Sequence, residues 1–269
     1  MNSNTNKLPC LFLRLSILAT AVFLLNGAGP ANADEPASIT GEFGITYHSK
    51  YIWRGVDFYD DEGGVNPQIF LDLFGTGFYI GSWSMIPFED KSRNFQEFDY
   101  YGGYYTSLFE DSNYQTDLDI SYTYFDFPLG GKPVDFQEVA LRLSWPSLMS
   151  NDLVSVVPQA LISYAWPAVA GNQEGWWIIP GLNTDLTISE TAVTQNGQTL
   201  NLLLEAAYTE QGTYSFTDRG FVGLTSNLST SWTYWGISFT PGLHYAWNWD
   251  SSSNPENEFW VDFATSYAF

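Results

Sequence analysis

The feature that most limits the fold is a strict two-residue alternation of apolar and polar side chains, sustained over runs of about ten residues. Residues 114–124 place Leu118 on one face and Asp117 on the other, and residues 235–248 and 259–269 repeat the pattern. A run of this length matches a strand tilted across a bilayer, whereas a strand of a soluble sheet usually has about 5–6 residues. The pattern therefore predicts membrane-spanning β-strands.

Composition indicates the same environment. Aromatic residues make up 18% of the chain and charged residues 14%, whereas soluble proteins are typically about 25% charged. After residue 33, no uninterrupted apolar run reaches the roughly 18 residues expected of a spanning helix. Because a closed β-barrel is the other structure that satisfies every backbone polar group in lipid, the sequence predicts an all-β chain folded as a closed antiparallel transmembrane barrel.

About twelve strands are expected, an even number as in single-chain bacterial barrels with both termini in the periplasm. Short turns alternate with longer polar loops, except that the link 189–198 is long where a short turn is expected. Since proline removes a ladder hydrogen bond, a local bulge is expected at each proline within a strand, namely Pro67, Pro158, Pro180 and Pro241. The expected strands lie near 38–48, 65–74, 78–86, 97–106, 114–124, 138–145, 153–164, 176–188, 199–209, 221–232, 235–248 and 259–269.

The first 33 residues have the features of a secretory signal peptide. Their two charges, Lys7 and Arg14, precede an apolar stretch at 15–25, and Ala31-Asn32-Ala33 fits the small-x-small pattern of a cleavage site. Residues 1–33 are therefore expected to be removed, and residues 34–269 are expected to form a single outer-membrane β-barrel domain.

Aromatic side chains concentrate near the expected strand ends. Membrane barrels carry girdles of such residues, because an amphipathic ring is stabilised at the lipid–water boundary. The sequence therefore predicts that these rings face lipid at the two interfaces. They are Tyr51, Trp53, Trp145, Tyr164, Trp166, Trp176, Trp232, Trp235, Tyr245 and Trp247.

Two short motifs resemble a known family. Residues 47–56, Tyr-His-Ser-Lys-Tyr-Ile-Trp-Arg-Gly-Val, resemble the arginine-glycine signature near the start of the TorF-like porins of proteobacteria. Residues 77–83, Gly-Phe-Tyr-Ile-Gly-Ser-Trp, resemble the segment that follows it in that family. The last residues, ending at Phe269, fit outer-membrane barrels in general, whose terminal aromatic is read by the assembly machinery. The resemblance implies an outer-membrane barrel of porin type, with no catalytic residues to carry over.

The sequence offers little for enzyme chemistry. The two histidines, His48 and His244, lie on the polar phase of their strands, where nearby carboxylates would satisfy them. Ser238 is close to His244 in sequence, but nothing defines a nucleophile–base–orienter arrangement. There is no His/Cys cluster with metal-ligand spacing and no phosphate-binding glycine loop. We therefore predict no enzyme activity, no cofactor and no metal centre.

The polar phase of the strands, which faces inward in the predicted barrel, is rich in carboxylates. Carboxylate rings favour cations in a pore, and Arg142 is the only basic residue on this phase. Inward rings such as Tyr101 and Trp177 leave open a plugged barrel, whose carboxylates would only hydrogen-bond one another and water. The candidate pore-lining residues are Glu42, Asp72, Glu97, Asp99, Asp117, Asp119, Glu138, Arg142, Asp185, Glu205, His244 and Asp262.

Two outer loops carry clusters of acidic residues. Because hard cations prefer oxygen ligands, weak binding of divalent cations is one interpretation of these clusters, and a solvated run of charges is the other. The residues are Asp57, Asp60, Asp61 and Glu62 in one loop and Asp250, Glu256 and Glu258 in the other.

The favoured function is an outer-membrane porin-like channel for passive diffusion of small solutes, preferentially cationic or neutral. The alternatives are a barrel enzyme of the lipid hydrolase type and a structural barrel without a pore. The expected partners are outer-membrane lipid and lipopolysaccharide, the barrel-assembly machinery, and a small-molecule or ionic permeant. A net charge of −21 argues against nucleic acid. The identity of the permeant stays open, as does assembly into a homo-oligomer.

Overall fold

The alternating segments form long β-strands in the computed structural model, which describes residues 38–131, 134–151, 153–169, 174–188, 198–210, 219–250 and 254–269. The strands are β1 (Thr40–His48), β2 (Ile52–Trp53), β3 (Val56–Asp57), β4 (Gly64–Asp72), β5 (Phe78–Pro87), β6 (Glu97–Leu108), β7 (Thr116–Asp126), β8 (Phe136–Ser144), β9 (Met149–Ser150), β10 (Val154–Pro167), β11 (Gly175–Ile188), β12 (Gln198–Thr209), β13 (Gly220–Tyr234), β14 (Ile237–Asn248) and β15 (Glu258–Ala268). A 3-10 helix spans Asp90–Phe95. In the described ranges, no helix is both long enough and apolar enough to cross a membrane.

Twelve of these strands, all except the short β2, β3 and β9, form one closed antiparallel ring. The ring closes where β1 pairs with β15, from Glu42 opposite Ala268 to His48 opposite Asp262. Each of the twelve strands therefore has a partner on both sides, so its backbone N–H and C=O groups do not form an open sheet edge. The predicted fold class, a closed antiparallel barrel of about twelve strands, is confirmed.

The predicted strand positions are also correct, since every predicted boundary lies within three residues of the observed one. The largest difference is in β10, which is predicted to end at residue 164 and continues to Pro167. The predicted long link at 189–198 lies almost entirely outside the described residues.

The prediction of a bulge at each strand proline is wrong. The register is unchanged through Pro67, Pro158, Pro180 and Pro241. On one side of Pro67, Pro180 and Pro241, the ladder lacks the pair of the proline itself and that of one neighbouring residue. Proline lacks an N–H group and so removes a hydrogen bond locally, but the neighbouring pairs hold the strands in place. A register shift occurs instead between Ala207 and Tyr208.

The two faces of the sheet differ as lipid and lumen require. On β1, Phe43, Ile45 and Tyr47 are exposed on the outer face, while Thr46 between them is buried on the inner face. Outward positions of other strands are likewise apolar, such as Leu243 on β14. An exposed apolar belt around a closed barrel is the surface that lipid covers.

The two ends of the barrel also differ. Long connections lie at the end where β1 finishes with His48, which we term the loop end. Thr40 and Ala268 lie at the opposite end, which we term the terminus end.

One long connection departs from the predicted outer loop. After β1, β2 pairs with β3 to form a small hairpin, residues 51–59, which lies inside the barrel and is termed the inner hairpin. Tyr51 and Tyr59 are buried, and Trp53 packs against the buried interior. The placement of Tyr51 and Trp53 in a lipid-facing girdle is therefore wrong. The physical reason is that aromatic side chains on the inner face of the barrel wall pack against Tyr51 and Trp53. This packing buries more of the two rings than a position at the lipid–water interface would.

The outward placement of other predicted girdle residues is observed. Trp176, Trp232 and Trp247 are each exposed on the outer face of their strands, and Trp235 is exposed in the turn between β13 and β14. The girdle thus consists of residues from the strands themselves and from their turns.

Candidate functional site

All the predicted pore-lining residues lie on inward-facing positions of their strands. Asp72, Glu97, Asp99, Glu138 and His244 are buried. The remaining ones are half-buried and comprise Glu42, Asp117, Asp119, Arg142, Asp185, Glu205 and Asp262. The structure thus brings the candidates into one interior, and their role in lining an open channel stays a prediction.

In the half of the interior near the terminus end, the carboxylates accept hydrogen bonds from neutral donors. The Tyr79 hydroxyl donates to Asp119 at 2.6 Å, and the Tyr105 hydroxyl donates to Asp72 at 2.8 Å. The side-chain amide of Asn201 donates to Asp185 at 2.7 Å. A neutral donor stabilises a carboxylate without cancelling its charge. These contacts therefore do not cancel the charges of the carboxylates, and Arg142, opposite Asp119, is the strand base beside them.

The half near the loop end is built around the inner hairpin. Arg54 at its tip donates two hydrogen bonds to the carboxylate of Glu138 on β8, at 2.5 and 2.9 Å. The Arg54 guanidinium lies 4.2 Å from the ring centre of Trp53 and 5.2 Å from that of Trp177. This combination of a bidentate ion pair and aromatic faces is the environment that suits a buried arginine.

Trp53 joins the hairpin to several strands of the wall. Its ring centre lies 6.1 Å from that of Phe125, 6.2 Å from that of Phe136 and 6.0 Å from that of Trp177. These three residues belong to β7, β8 and β11. Aromatic rings at such separations attract one another beyond their buried area, so the hairpin is held by packing as well as by charge.

Two tyrosines fix the base of the hairpin. The Tyr51 hydroxyl donates to Glu97 on β6 at 2.6 Å, and the Tyr59 hydroxyl donates to the carbonyl of Met85 on β5 at 3.0 Å. Burial, together with the neighbouring charge of Glu97, raises the pKa of the Tyr51 phenol well above its usual range. Tyr51 is therefore a neutral donor at physiological pH.

The tip of the hairpin reaches the opposite wall. Gly55 adopts a positive φ of 88°, and a Cβ at this position would lie 3.0 Å from Val222 on β13 and 3.1 Å from Asn248 on β14. Tyr51 contacts Glu97 on β6, and β6 and β13 stand opposite each other in the ring of twelve strands. The inner hairpin therefore crosses the whole bore.

The connection that follows the hairpin is anchored by Lys50. Its ammonium group donates to Glu258 at 2.6 Å and also to Asp61. Burial alone would lower the pKa of Lys50, but these hydrogen bonds raise it to about 12. The carboxylates of Asp57, Asp61 and Glu258 lie within 4.8 Å of one another. Residues from the two predicted acidic loops thus meet, with a lysine among them, and divalent-cation binding there stays a prediction.

The histidines do not form a hydrolase arrangement with Ser238. Nε2 of His244 lies 2.9 Å from Oδ2 of Asp262. Ser238 instead makes a hydrogen bond with Thr233 near the terminus end. Six residues separate Ser238 from His244 on β14, which at about 3.3 Å per residue is far beyond contact.

Arg54 is the residue of the candidate site that the strand pattern did not identify. It lies in a connection, and the search for inward charges followed the strands. The signal that could have indicated it is its position between Trp53 and Gly55, in the arginine-glycine motif at residues 47–56.

Comparisons with known proteins add a family and a fold. The family model described as "Bacterial protein of unknown function (Gcw_chp)" matches residues 30–240. The NanC porin is 7% identical over 86% of this chain and 99% of its own, with a TM-score of 0.51. The KdgM porin is 11% identical over 85% of this chain and 99% of its own, with a TM-score of 0.50. At these identities the similarity shows a shared barrel fold alone. No curated protein matches the sequence.

Proposed function

This chain belongs to the Gcw_chp family of bacterial proteins of unknown function, and we propose that it is a narrow outer-membrane channel for passive diffusion of small cations and neutral solutes. Its closed barrel resembles those of the NanC and KdgM porins. That similarity supports a porin-like barrel, and the preference for cations is argued from the interior of this chain.

The observation that carries the proposal is the imbalance of charge in the described interior. Ten of the predicted acidic residues face inward from the strands. The arginines that face the same interior are Arg142 on β8 and Arg54 in the inner hairpin. Because Glu138 pairs with Arg54, Arg142 is the one strand base in the described ranges that faces the other nine inward acidic residues. An excess of fixed negative charge inside a low-dielectric wall attracts cations and repels anions.

The inner hairpin supports a narrow rather than a wide channel. It crosses the bore near the loop end, so a permeant must pass beside it. Its one base, Arg54, is matched by Glu138 and therefore does not create an anion-binding constriction. A constriction without net positive charge is consistent with the passage of cations and small neutral solutes.

Planar-bilayer recording in a salt gradient tests the proposal. We expect small single-channel conductance and a reversal potential of the sign that indicates cation preference. Anion preference would overturn the electrostatic argument. The absence of any conductance in a folded, reconstituted barrel would overturn the channel itself.

The crossing of the bore by the inner hairpin also favours a second candidate, a structural barrel that does not conduct. In that case the wild-type barrel shows no ion conductance in planar bilayers, whereas a variant without residues 51–59 does. A lipid hydrolase is not proposed, because Ser238 and His244 lie far apart on β14.

Several further expectations complete the proposal. Residues 1–33 lie outside the described residues, and we propose that they are removed as a signal peptide after Ala33. Both termini would then lie in the periplasm, with lipopolysaccharide around the loop end and Phe269 presented to the assembly machinery. Membership of the TorF-like porins is a finer assignment, and its support is the pair of motifs at 47–56 and 77–83.

A further inference from the structure

A group of three potential metal ligands lies on the inner wall of the barrel, on neighbouring strands. His48 on β1 is directly opposite Asp262 on β15. On the other side of Asp262, Gly242 of β14 is its direct partner, and His244 follows two residues later, opposite Trp260. The alternation of the strands turns both histidines and the aspartate toward the interior.

Asp262 lies between the two imidazoles. Its Oδ2 atom is 2.9 Å from Nε2 of His244 and 4.0 Å from Nδ1 of His48. Two ligands of one tetrahedral zinc ion, each at about 2.1 Å from the metal, stand about 3.4 Å apart. The two separations from Asp262 lie on either side of that value. The ligand nitrogens of His48 and His244 are more than 4.8 Å apart, so the two imidazoles must rotate toward each other before all three side chains can ligate a single ion.

Nε2 of His244 faces the carboxylate without a hydrogen bond. His244 is only 9% exposed, and within the described part of the chain its Nε2 has no hydrogen-bond partner, although Asp262 lies 2.9 Å away. Buried polar atoms are nearly always partnered, and a shared cation would supply the missing partner. The ring itself is held in place, since it stacks on Trp260 at 4.8 Å with an interplanar angle of 9°.

Gly242 leaves space beside these atoms. A Cβ at residue 242 would clash with the Asp262 carboxylate and would lie 2.9 Å from Nε2 of His244. The three side chains keep a limited exposure to the interior, 21% for His48, 16% for Asp262 and 10% for His244. Because Nε2 of His244 itself is buried, an ion from the lumen reaches it only when these side chains move aside.

We propose that His48, His244 and Asp262 bind one divalent transition-metal ion, such as Zn²⁺, on the inner wall of the barrel. Two imidazoles and one carboxylate suit zinc, cobalt, nickel or copper, whereas calcium and magnesium prefer oxygen ligands. Three protein ligands leave a coordination position for water or for a solute in the lumen. The proposal does not depend on conduction, because binding is measured on the folded barrel.

The test is a titration of the mature barrel, folded in detergent micelles and free of any polyhistidine tag, with Co²⁺. Visible absorption reports the ligation of cobalt, and Zn²⁺ and Ca²⁺ are then added as competitors. We expect one Co²⁺ per chain, displaced by an equal concentration of Zn²⁺ but not of Ca²⁺. His48→Gln and His244→Gln should each weaken binding about tenfold or more, the loss that even outer contacts cause at metal sites.

Gly242→Ala provides a test that keeps all three ligands. The added methyl group fills the space between Asp262 and His244, so binding should weaken as strongly as in the histidine variants. Gly44→Ala is the matched control, because its methyl group also points inward, from β1, but meets the flexible side chain of Gln68. It should leave Co²⁺ binding unchanged.

Heat-modifiable mobility in electrophoresis shows which variants have folded. If one histidine variant does not fold, the other and Gly242→Ala decide the result. Cobalt affinity that is unchanged in the folded variants would overturn the proposal. Equal competition by Ca²⁺ and Zn²⁺ would also overturn it, since the ions would then be held by carboxylates alone.

Discussion

Arg54 and Glu138 form a bidentate ion pair inside the barrel, although 84 residues separate them in the chain. Their side chains are 6% and 0% exposed. Both charges are removed from water, and the ion pair stabilises each of them there. The pair therefore ties the inner hairpin to β8 more firmly than a surface ion pair would.

Removing this base should loosen the hairpin. We expect Arg54→Met to lower the free energy of unfolding by about 3–5 kcal/mol, the usual cost of leaving a buried charge without its partner. Single-channel conductance should rise, because the hairpin loses one of the contacts that hold it to the wall. Equilibrium unfolding in lipid vesicles and planar-bilayer recording measure the two effects.

The double variant Arg54→Met with Glu138→Gln is the control for charge burial. It removes both charges, so its stability should lie well above that of the single variant. Equal loss in the two variants would show that the ion pair is not what anchors the hairpin.

A change at the tip of the hairpin should widen the bore without changing its charge. Gly55→Ala forces a side chain into a positive φ, at a cost of about 1–2 kcal/mol, and also presses it against Val222. Conductance should rise while ion preference stays the same. Gly236→Ala carries similar backbone strain, with a φ of 77°, in the turn at the terminus end. It should leave conductance unchanged, and an equal increase in both variants would contradict the role of the hairpin.

Cation preference should depend on the inward carboxylates. We expect Asp117→Asn with Asp119→Asn to weaken it, and Arg142→Ala to strengthen it or leave it unchanged. Two unit charges 4 Å apart interact by about 4 kcal/mol at an effective dielectric of 20. Salt screens such interactions over about 10 Å at 0.1 M, so the preference should fall as ionic strength rises. Reversal potentials measure it, and Asp60→Asn, on an exposed loop side chain, is the control that should have no effect.

Phe269 should be needed for assembly. Its N–H donates to the carbonyl of Gly41, and the N–H of Gly41 donates to the carbonyl of Phe269, both at 2.9 Å, next to the seam between β1 and β15. Deleting Phe269 should reduce the amount of heat-modifiable barrel in the membrane. Phe269→Tyr keeps the terminal aromatic ring and should restore it. An unchanged yield after deletion would argue against this role.

Cleavage after Ala33 should leave Asp34 as the first residue of the membrane form. The basis is the Ala31-Asn32-Ala33 pattern after an apolar stretch. Intact mass of the purified protein measures it directly, and a mass that retains residues 1–33 would show the signal-peptide prediction to be wrong.

The two-residue alternation of apolar and polar side chains correctly predicted the strands of the barrel wall, because it depends only on neighbouring positions along one strand. Whether Phe43 or Thr46 faces lipid follows from the positions of these residues along one strand, and the same rule placed Asp119 and Asp262 inside. Strand prolines were misjudged because the rule does not weigh one lost hydrogen bond against the pairs on either side.

The inner hairpin could not be predicted in this way. Trp53 follows a strand end, as residues of a girdle do, and its local sequence does not distinguish a ring facing lipid from one folded inward. Its partners Phe125, Phe136 and Trp177 come from strands far along the chain. The histidine and aspartate group was equally hidden, since His48 and Asp262 meet only because the first and last strands close the ring.

The order of these elements along the chain has a consequence for biogenesis. The strands that the inner hairpin contacts, from β5 to β14, all follow it in the chain. Until those strands are in place, Tyr51 and Trp53 have no apolar surroundings, and contacts between such distant segments form slowly. A chain in which β5 to β11 have not yet docked therefore leaves these rings exposed, and exposed aromatic surface makes unfinished molecules more prone to aggregate than finished ones.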